Sequence, residues 1–322
     1  MREFLKKTIV FVIIVCAITA AVDLLYLKRI KEQDTGTVGI IRNDSATVYN
    51  VPDSIEVCNF GNSHSFYALN YENVRDRVCY SFALPDQSLR DDLQILKSYR
   101  DHIAGGATVF ISISYTSLMG PAENDSSPMY KRYYRFLPKE NIIGYDLKTD
   151  IYTRFLPALA ADDMVSLFEM LMNINNHADM WALTTNAETA LEHGYQRYSG
   201  HVAPSRDAAG NRLYRENERE HLLEMIDICR EIGAEPVLFT VPFLHEYTDP
   251  ILLEDPDFYD DFFNMMDAIC EQKKVVYLDF ARDERFSNAY DLFINTDHLN
   301  RNGALLFTEM LMKENSTIKN AE

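Results

Sequence analysis

Five short apolar runs recur along the chain, and segments with helical periodicity separate them. The runs cover residues 55–60, 78–83, 107–114, 236–241 and 274–280. They place β-branched and other apolar residues at consecutive positions, which is the pattern of parallel strands covered on both faces. The pattern therefore predicts five buried strands.

Between these runs, apolar residues recur at intervals of three and four. One stripe spans residues 89–99, a second spans 222–232 and stops at Gly233, and a third spans 258–270. A final helix is predicted from Gly303 to about Met312. Glycine after the last periodic residue is a common helix end. Strands that alternate with helices predict a three-layer α/β/α doubly wound domain with about five parallel strands.

The N-terminal segment has a different pattern. Residues 8–22 carry no charge, and four more apolar residues follow Asp23. About 20 helical residues rise about 30 Å, the thickness of a bilayer core. Arg2, Lys6 and Lys7 precede the run, which favours a cytoplasmic N-terminus. We expect an uncleaved single-pass anchor with the C-terminal domain outside the cytoplasm. The alternative is a cleaved signal peptide, with residues 19–21 as the small-residue site.

The pattern divides the chain into successive regions. Residues 1–31 are the predicted cytoplasmic tip and anchor, 32–53 a juxtamembrane stalk, 54–314 the α/β domain and 315–322 a tail. An insertion at about 119–215 holds an aromatic and basic run at 129–136, a predicted helix near 162–172, and Trp181. An insertion after a strand's carboxyl end suits a substrate region. Its aromatic residues fit sugar stacking or packing against the parent domain equally well.

Composition narrows the function. Asp and Glu number 49 against 31 Lys and Arg, a net charge of -18, which disfavours nucleic acid as a partner. The chain contains no CxxC, HExxH, GxxxxGK[ST] or GxGxxG motif, so zinc modules, zincin proteases, P-loop NTPases and Rossmann dehydrogenases have no support. We expect no metal and no cofactor.

Although an exported domain permits disulfides, we expect the cysteines of the α/β domain to be buried free thiols: Cys58, Cys79, Cys229 and Cys270.

Two segments carry residues with catalytic chemistry. The first strand runs into Gly61-Asn62-Ser63-His64-Ser65, at the strand end where parallel sheets place their ligands. Residues 295–304, which include His298, open the final helix. A serine needs a base such as histidine to become a nucleophile, and the base needs a group that fixes its tautomer. Each segment alone has an alternative interpretation. Gly-Asn-Ser is also a common turn sequence, and a histidine such as His298 often forms hydrogen bonds at the start of a helix.

Together, in this order, the two segments resemble the SGNH (GDSL-like) hydrolase superfamily. The resemblance covers about residues 52–314 and is closest to a membrane-anchored bacterial subgroup with Gly-x-Ser-His-Ser and Asp-His-Leu-Asn-x-x-Gly-Ala. The D-alanyl-transfer proteins of teichoic-acid modification and the alginate acetyltransferases are similar in layout. The resemblance implies a flavodoxin-like sheet, with Ser63 as nucleophile and His298 as general base.

The chain departs from the family pattern at the other site positions. The family's acid lies three residues before the histidine, where this chain has Asn295, and Asp297 lies next to His298. Either Asn295 orients the imidazole, or Asp297 takes the acid role. The family's oxyanion glycine is absent from residues 81–88, and its Gly-x-Asn is absent from 114–117. The remaining substrate or oxyanion candidates are Gly61, Asn62, His64, Gln87, Ser88 and Tyr115, with a local structural role favoured for His64. The scattered histidines are expected at the surface: His102, His177, His193, His201 and His221.

These observations predict an extracytoplasmic serine esterase or O-acyltransferase acting on acyl groups of cell-surface glycans. A membrane acyltransferase is a possible partner. Hydrolysis and transfer remain open because both use the same acyl-enzyme. The alternative is a catalytically weak or inactive glycan-binding accessory of a polymer-modification system. A lipase at the membrane surface is a third hypothesis, which the polar residues 186–220 disfavour.

Overall fold

The computed structural model describes residues 1–34, 51–121, 132–134, 136–155 and 183–319. The predicted helix near 162–172, Trp181, most of the stalk and half of the run at 129–136 lie outside these residues. The chain forms two compact units. One comprises residues 1–38, 42–50 and 125–178, and the other comprises 39–41, 51–124 and 179–322.

The first unit contains the N-terminal helix. Helix α1 spans Arg2–Asp34 and therefore continues beyond the predicted end of the anchor at residue 31. Its Arg2–Leu25 part, 24 residues, is long and apolar enough to cross a membrane, and almost all of its apolar side chains are exposed. A short helix, which we number α5 in chain order, spans Leu147–Phe155 in the same unit.

The second unit is built on a sheet of five parallel strands. They are β1 (Ile55–Phe60), β2 (Cys79–Ser81), β3 (Ile103–Ser112), β4 (Glu235–Thr240) and β5 (Val276–Asp279). Their order in the sheet is β2-β1-β3-β4-β5, the order of flavodoxin-like sheets. The prediction of five parallel strands is confirmed, and the second and fifth strands are shorter than expected. Strands β1 and β4 are buried at all but one residue each, and β3 is buried over residues 107–112, as expected for parallel strands covered by helices on both faces.

Helices alternate with these strands along the chain. Their bounds are α2 (Ser63–Ala68), α3 (Leu89–Tyr99), α4 (Tyr115–Leu118), α6 (Ala187–Arg197), α7 (Glu216–Glu231), α8 (His245–Glu254), α9 (Phe258–Lys273) and α10 (Arg301–Lys319). Helix α7 packs against α3 and α9, whereas α2 packs against α10. Right-handed crossovers between strands in this order place those two groups on opposite faces of the sheet.

Two helix predictions need correction. Helix α10 continues to Lys319, so most of the expected tail at 315–322 is helical rather than a separate segment. Helices α6 and α8 were not expected. Helix α8 carries Pro250 inside it, a residue that normally ends helices, and α6 lies in the region interpreted as an insertion.

The cysteines are free thiols, as predicted. Cys58 and Cys229 are buried, whereas Cys79 and Cys270 are only half-buried. Burial raises the pKa of Cys79 to about 11 and that of Cys229 to about 12. These thiols therefore stay protonated near neutral pH and act as small apolar side chains.

Candidate active site

The turn after β1 carries the serine and requires glycine at its first position. Gly61 has φ +134°, a conformation that other residues rarely adopt. A Cβ there would lie 2.8 Å from the Ser112 Cβ and 2.9 Å from the Ser65 Cβ. The turn ends at Ser63, the first residue of α2, which the Asn62 side chain caps by accepting the His64 N–H at 3.0 Å.

A buried acid and an amide hold this turn from behind. The Gly61 N–H donates to Asp92 Oδ1 at 3.0 Å, and Gln87 Nε2 donates to the same oxygen at 2.6 Å and to the Gly61 carbonyl at 3.3 Å. Burial raises the pKa of Asp92 well above its usual range, against the lowering effect of these hydrogen bonds. Gln87 therefore supports the backbone instead of facing a ligand. Sequence reasoning missed Asp92, although an acid on the apolar face of a helix, flanked by Leu89 and Leu96, is a visible signal.

The segment before α10 forms a tight turn around Asn295. The side-chain Oδ1 of Asn295 accepts the backbone N–H of Asp297 at 3.1 Å and that of His298 at 2.9 Å. The Ile294 N–H donates to the His298 carbonyl at 2.8 Å and closes the turn. These bonds fix the backbone that carries the His298 ring.

The two predicted reactive residues meet. Ser63 Oγ lies 2.9 Å from His298 Nε2, although 235 positions separate the residues along the chain. Ser63 is half-buried, and the His298 side chain is 12% exposed, so both side chains keep some contact with solvent. The distance is that of a hydrogen bond between a nucleophile and its base.

Asn295 controls the tautomer of that base. Its Nδ2 lies 3.1 Å from His298 Nδ1. Because Oδ1 already accepts two backbone N–H groups, the group that faces His298 is the NH₂, which can only donate. Nδ1 is then the acceptor, and the ring proton lies on Nε2, facing Ser63. In this resting tautomer His298 donates to Ser63 and cannot take its proton.

Asp297 lies near the same ring nitrogen, His298 Nδ1, but its carboxylate is closer to His64 and Arg197. Its carboxylate is 1% exposed. Oδ2 accepts from His64 Nε2 at 3.2 Å, and Oδ1 accepts from Arg197 Nε at 3.1 Å. His298 Nδ1 is 3.5 Å from Oδ1, beyond a good hydrogen bond. Both acid candidates therefore flank His298: Asn295 is in contact with it, and Asp297 needs only a small shift.

The buried environment sets the charges of this cluster. Burial lowers the pKa of His298 to about 4, against the raising effect of Asp297. For Asp297, burial acts to raise the pKa, but the interactions with His298, His64 and Arg197 outweigh it. Its pKa therefore lies well below the usual range. Near neutral pH, His298 is neutral, as a base must be, and Asp297 is ionised.

Sequence reasoning missed two members of the cluster, Arg197 and His201. Arg197 is the last residue of α6, and His201 lies in the π turn Tyr198–Val202 that follows. Arg197 Nη1 is 3.5 Å from His201 Nε2, and burial lowers the pKa of His201 to about 4. The i, i+4 spacing of Arg197 and His201 was the available signal.

Several expectations about other residues are corrected by their positions. Tyr115 is completely buried in an aromatic cluster with Phe243, Tyr247 and Phe262, so its ring lines no open pocket. Ser88 is the N-cap of α3 and forms a capping box with Asp91. His64 is buried and bonds across the chain to Asp297, not locally. Four of the histidines expected at the surface are half-buried: His102, His193, His201 and His221. His177 lies outside the described residues.

Three of these side chains also have the chemistry of metal ligands. One donor atom each from His64, Asp297 and His298 lies within 4.8 Å of the others. However, His64 already hydrogen-bonds Asp297, and the positive Arg197 guanidinium contacts the same carboxylate. A cation there would meet that charge and break these bonds. The arrangement suits hydrogen bonding, and the absence of a metal stays a prediction.

The pKa of His298 predicts the acid limit of any reaction at Ser63. Protonated His298 cannot accept the serine proton, so the rate of Ser63 modification should fall as pH drops through about 4, not through the usual 6.5. The measurement is the second-order rate of labelling by a fluorophosphonate between pH 3 and 8. Because His201 titrates near the same pH, the His201→Gln variant is the control. The labelling rate of this variant should still fall as the pH drops through about 4. A limb near 6.5 would contradict the prediction.

No protein-family model matches this chain, and no curated protein matches it.

Proposed function

We propose that the chain is an SGNH-like serine esterase or O-acyltransferase. The observation that carries the proposal is the 2.9 Å contact between Ser63 Oγ and His298 Nε2 at the carboxyl edge of a parallel sheet. The strand order, the glycine turn before the nucleophile and the histidine that precedes the last helix all agree with such an enzyme.

The reaction follows from the roles of the two residues. Ser63 Oγ attacks an acyl carbonyl while its proton passes to His298 Nε2, which needs the tautomer with the proton on Nδ1. The bond to the leaving alcohol then breaks, and His298 returns the proton to that alcohol. Water or a sugar hydroxyl next gives its proton to His298 and attacks the acyl carbon; the bond to Ser63 Oγ breaks, the serine takes that proton, and a free acid or a new sugar ester leaves. Asp297, 3.5 Å from Nδ1, is the carboxylate that stabilises the working tautomer.

The proposed setting is the outer surface of a membrane. Helix α1 contains a segment able to cross a bilayer, and the basic residues Arg2, Lys6 and Lys7 precede it. We place the domain with Ser63 outside the cytoplasm, where acyl groups on surface glycans are the substrates.

The test is covalent labelling of the full chain in detergent or membranes. A fluorophosphonate should label wild-type protein on Ser63, which peptide mass spectrometry locates, and p-nitrophenyl acetate should give an acetyl-protein of the corresponding mass. Ser63→Ala should abolish both adducts. Ser98→Ala, which removes a hydroxyl on α3 that donates to the Gln94 carbonyl at 2.7 Å, should label like wild type. Wild-type protein that carries no adduct on Ser63 would refute the proposal.

One observation favours a second function. Because Asn295 donates to His298 Nδ1, the resting dyad holds the unreactive tautomer. A domain that remained in this state would be a catalytically weak or inactive glycan-binding accessory. Such a protein would acquire no acyl group on Ser63 but would still bind acylated surface polysaccharide, which an isothermal titration with O-acetylated glycan would detect.

A further inference from the structure

The geometry points to the side chain of Asn62 as a donor to the oxyanion, replacing the one that the third strand's loop lacks. This inference rests on the proposed acyl chemistry at Ser63. An acyl-transfer site needs N–H donors for the negative oxygen of its tetrahedral intermediate. Ser114-Tyr115-Thr116-Ser117, which follow β3 and lead into α4, supply no side-chain amide.

The Asn62 amide is held in a fixed orientation by contacts at both ends. Oδ1 accepts the His64 N–H at 3.0 Å, and Nδ2 donates to Ser114 Oγ at 3.1 Å. The acceptor is itself fixed: Ser114 is 1% exposed, and its Oγ lies 2.9 Å from Ser117 Oγ and 3.1 Å from Thr116 Oγ1. The loop after β3 therefore orients an amide in the neighbouring loop.

That arrangement leaves donors unused beside the nucleophile. An amide NH₂ carries two N–H groups, and Ser114 takes only one of those on Asn62. Among the described residues, no acceptor contacts the second, and none contacts the backbone N–H of Ser63. Asn62 is half-buried, so its side chain is only partly exposed to solvent. The two unused donors belong to adjacent residues on the turn that presents Ser63.

The roles are then distinct. Asn62 Nδ2–H and the Ser63 N–H bind the oxygen that becomes negative when Ser63 attacks the carbonyl. Ser114 is a positioning residue, because it acts only through Asn62. The hydrogen bond from Asn62 becomes stronger as negative charge develops on the oxygen. Loss of this bond should therefore lower the rate of the chemical step and leave the affinity for the substrate nearly unchanged.

The test removes the amide and keeps the helix cap. Asn62→Ser and Asn62→Asp both retain an oxygen able to accept the His64 N–H, so α2 should still form. Each should slow Ser63 acylation by p-nitrophenyl acetate by about 10²–10³-fold, with KM changed by less than about threefold and the melting temperature near that of wild type. Ser114→Ala should give a smaller loss, about tenfold, again in kcat.

Asn70→Ser is the matched control. Asn70 Oδ1 accepts the N–H of the residue two positions on, Glu72, at 3.0 Å, as Asn62 does with His64. This variant should acylate within about threefold of wild type. If Asn62→Ser and Asn62→Asp acylate at the wild-type rate, or lose activity only in KM, the oxyanion role is overturned while the serine chemistry stands. If wild-type Ser63 forms no adduct, both the proposed function and this inference fail.

Discussion

Asn295→Asp is expected to increase the rate of Ser63 acylation by about 10²–10⁴-fold. Replacing the acid of a Ser-His-Asp triad by its amide typically costs about 10⁴ in turnover, because the amide stabilises the wrong histidine tautomer. This chain has the amide at the acid position, with Nδ2 3.1 Å from His298 Nδ1. The substitution is the reverse change in a site whose geometry is already formed.

The new carboxylate should fit without moving the turn. One oxygen replaces Oδ1 and still accepts the N–H groups of Asp297 and His298, at 3.1 and 2.9 Å. The other replaces the donating NH₂ with an acceptor, so the His298 proton moves to Nδ1 and leaves a lone pair on Nε2 toward Ser63. The added negative charge also raises the pKa of His298, so the acid limb should move upward from about 4.

The measurement is the fluorophosphonate labelling rate across pH, with Asn288→Asp as the control. Asn288 is exposed, and its side-chain amide donates to neighbouring Ser287 at 3.3 Å, so this variant adds the same charge away from the ring. It should label like wild type. An Asn295→Asp protein that is folded but labels no faster than wild type would show that the tautomer of His298 does not limit the reaction.

Asp297→Asn is expected to lower stability by about 2–4 kcal/mol and to abolish acylation. Removing one partner of a buried ion pair leaves the other charge unpaired, which costs about 3–5 kcal/mol when both are fully buried. Arg197 is 32% exposed, which reduces the penalty. The new side chain also places an NH₂ on one side of the amide. If that NH₂ faces His64 Nε2, 3.2 Å away, it cannot accept the hydrogen bond that the carboxylate accepts. Acylation should stop because the only carboxylate near His298 Nδ1 among the described residues is gone.

Thermal unfolding of full-length protein in detergent should then show a melting temperature lower by roughly 5–15 °C. Asp227→Asn is the control, since Asp227 pairs with Lys273 at the surface and such pairs contribute less than about 1 kcal/mol. Combining Asp297→Asn with Arg197→Met should recover part of the loss, because no unpaired cation remains. Equal melting temperatures for Asp297→Asn and Asp227→Asn would contradict the ion-pair assignment.

The sequence predicts the sheet well and the hydrogen-bonding details of the site poorly. The run at 55–60 coincides with β1, and the periodic stripe at 89–99 coincides with α3, because local burial patterns determine both. The Ser63–His298 pair was predictable because each residue follows a recognisable turn at the same sheet edge.

The rest depends on contacts that spacing does not encode. Arg197 reaches Asp297 across 100 positions, from a helix that was not expected. The direction of the Asn295 amide follows from two backbone N–H groups that take its oxygen, and no sequence pattern reveals which end of an amide faces a ring. Tyr115 follows a strand end, as ligand-contacting residues do, yet its ring fills the core.

The 235-residue separation of Ser63 from His298 has a consequence for the newly made chain. The serine is synthesised before its base, which lies just ahead of α10. Contacts between distant segments form late in folding because the long intervening loop must first close. In the proposed enzyme, a chain still crossing the membrane would carry an inert serine, and reactivity would begin only when α10 is in place.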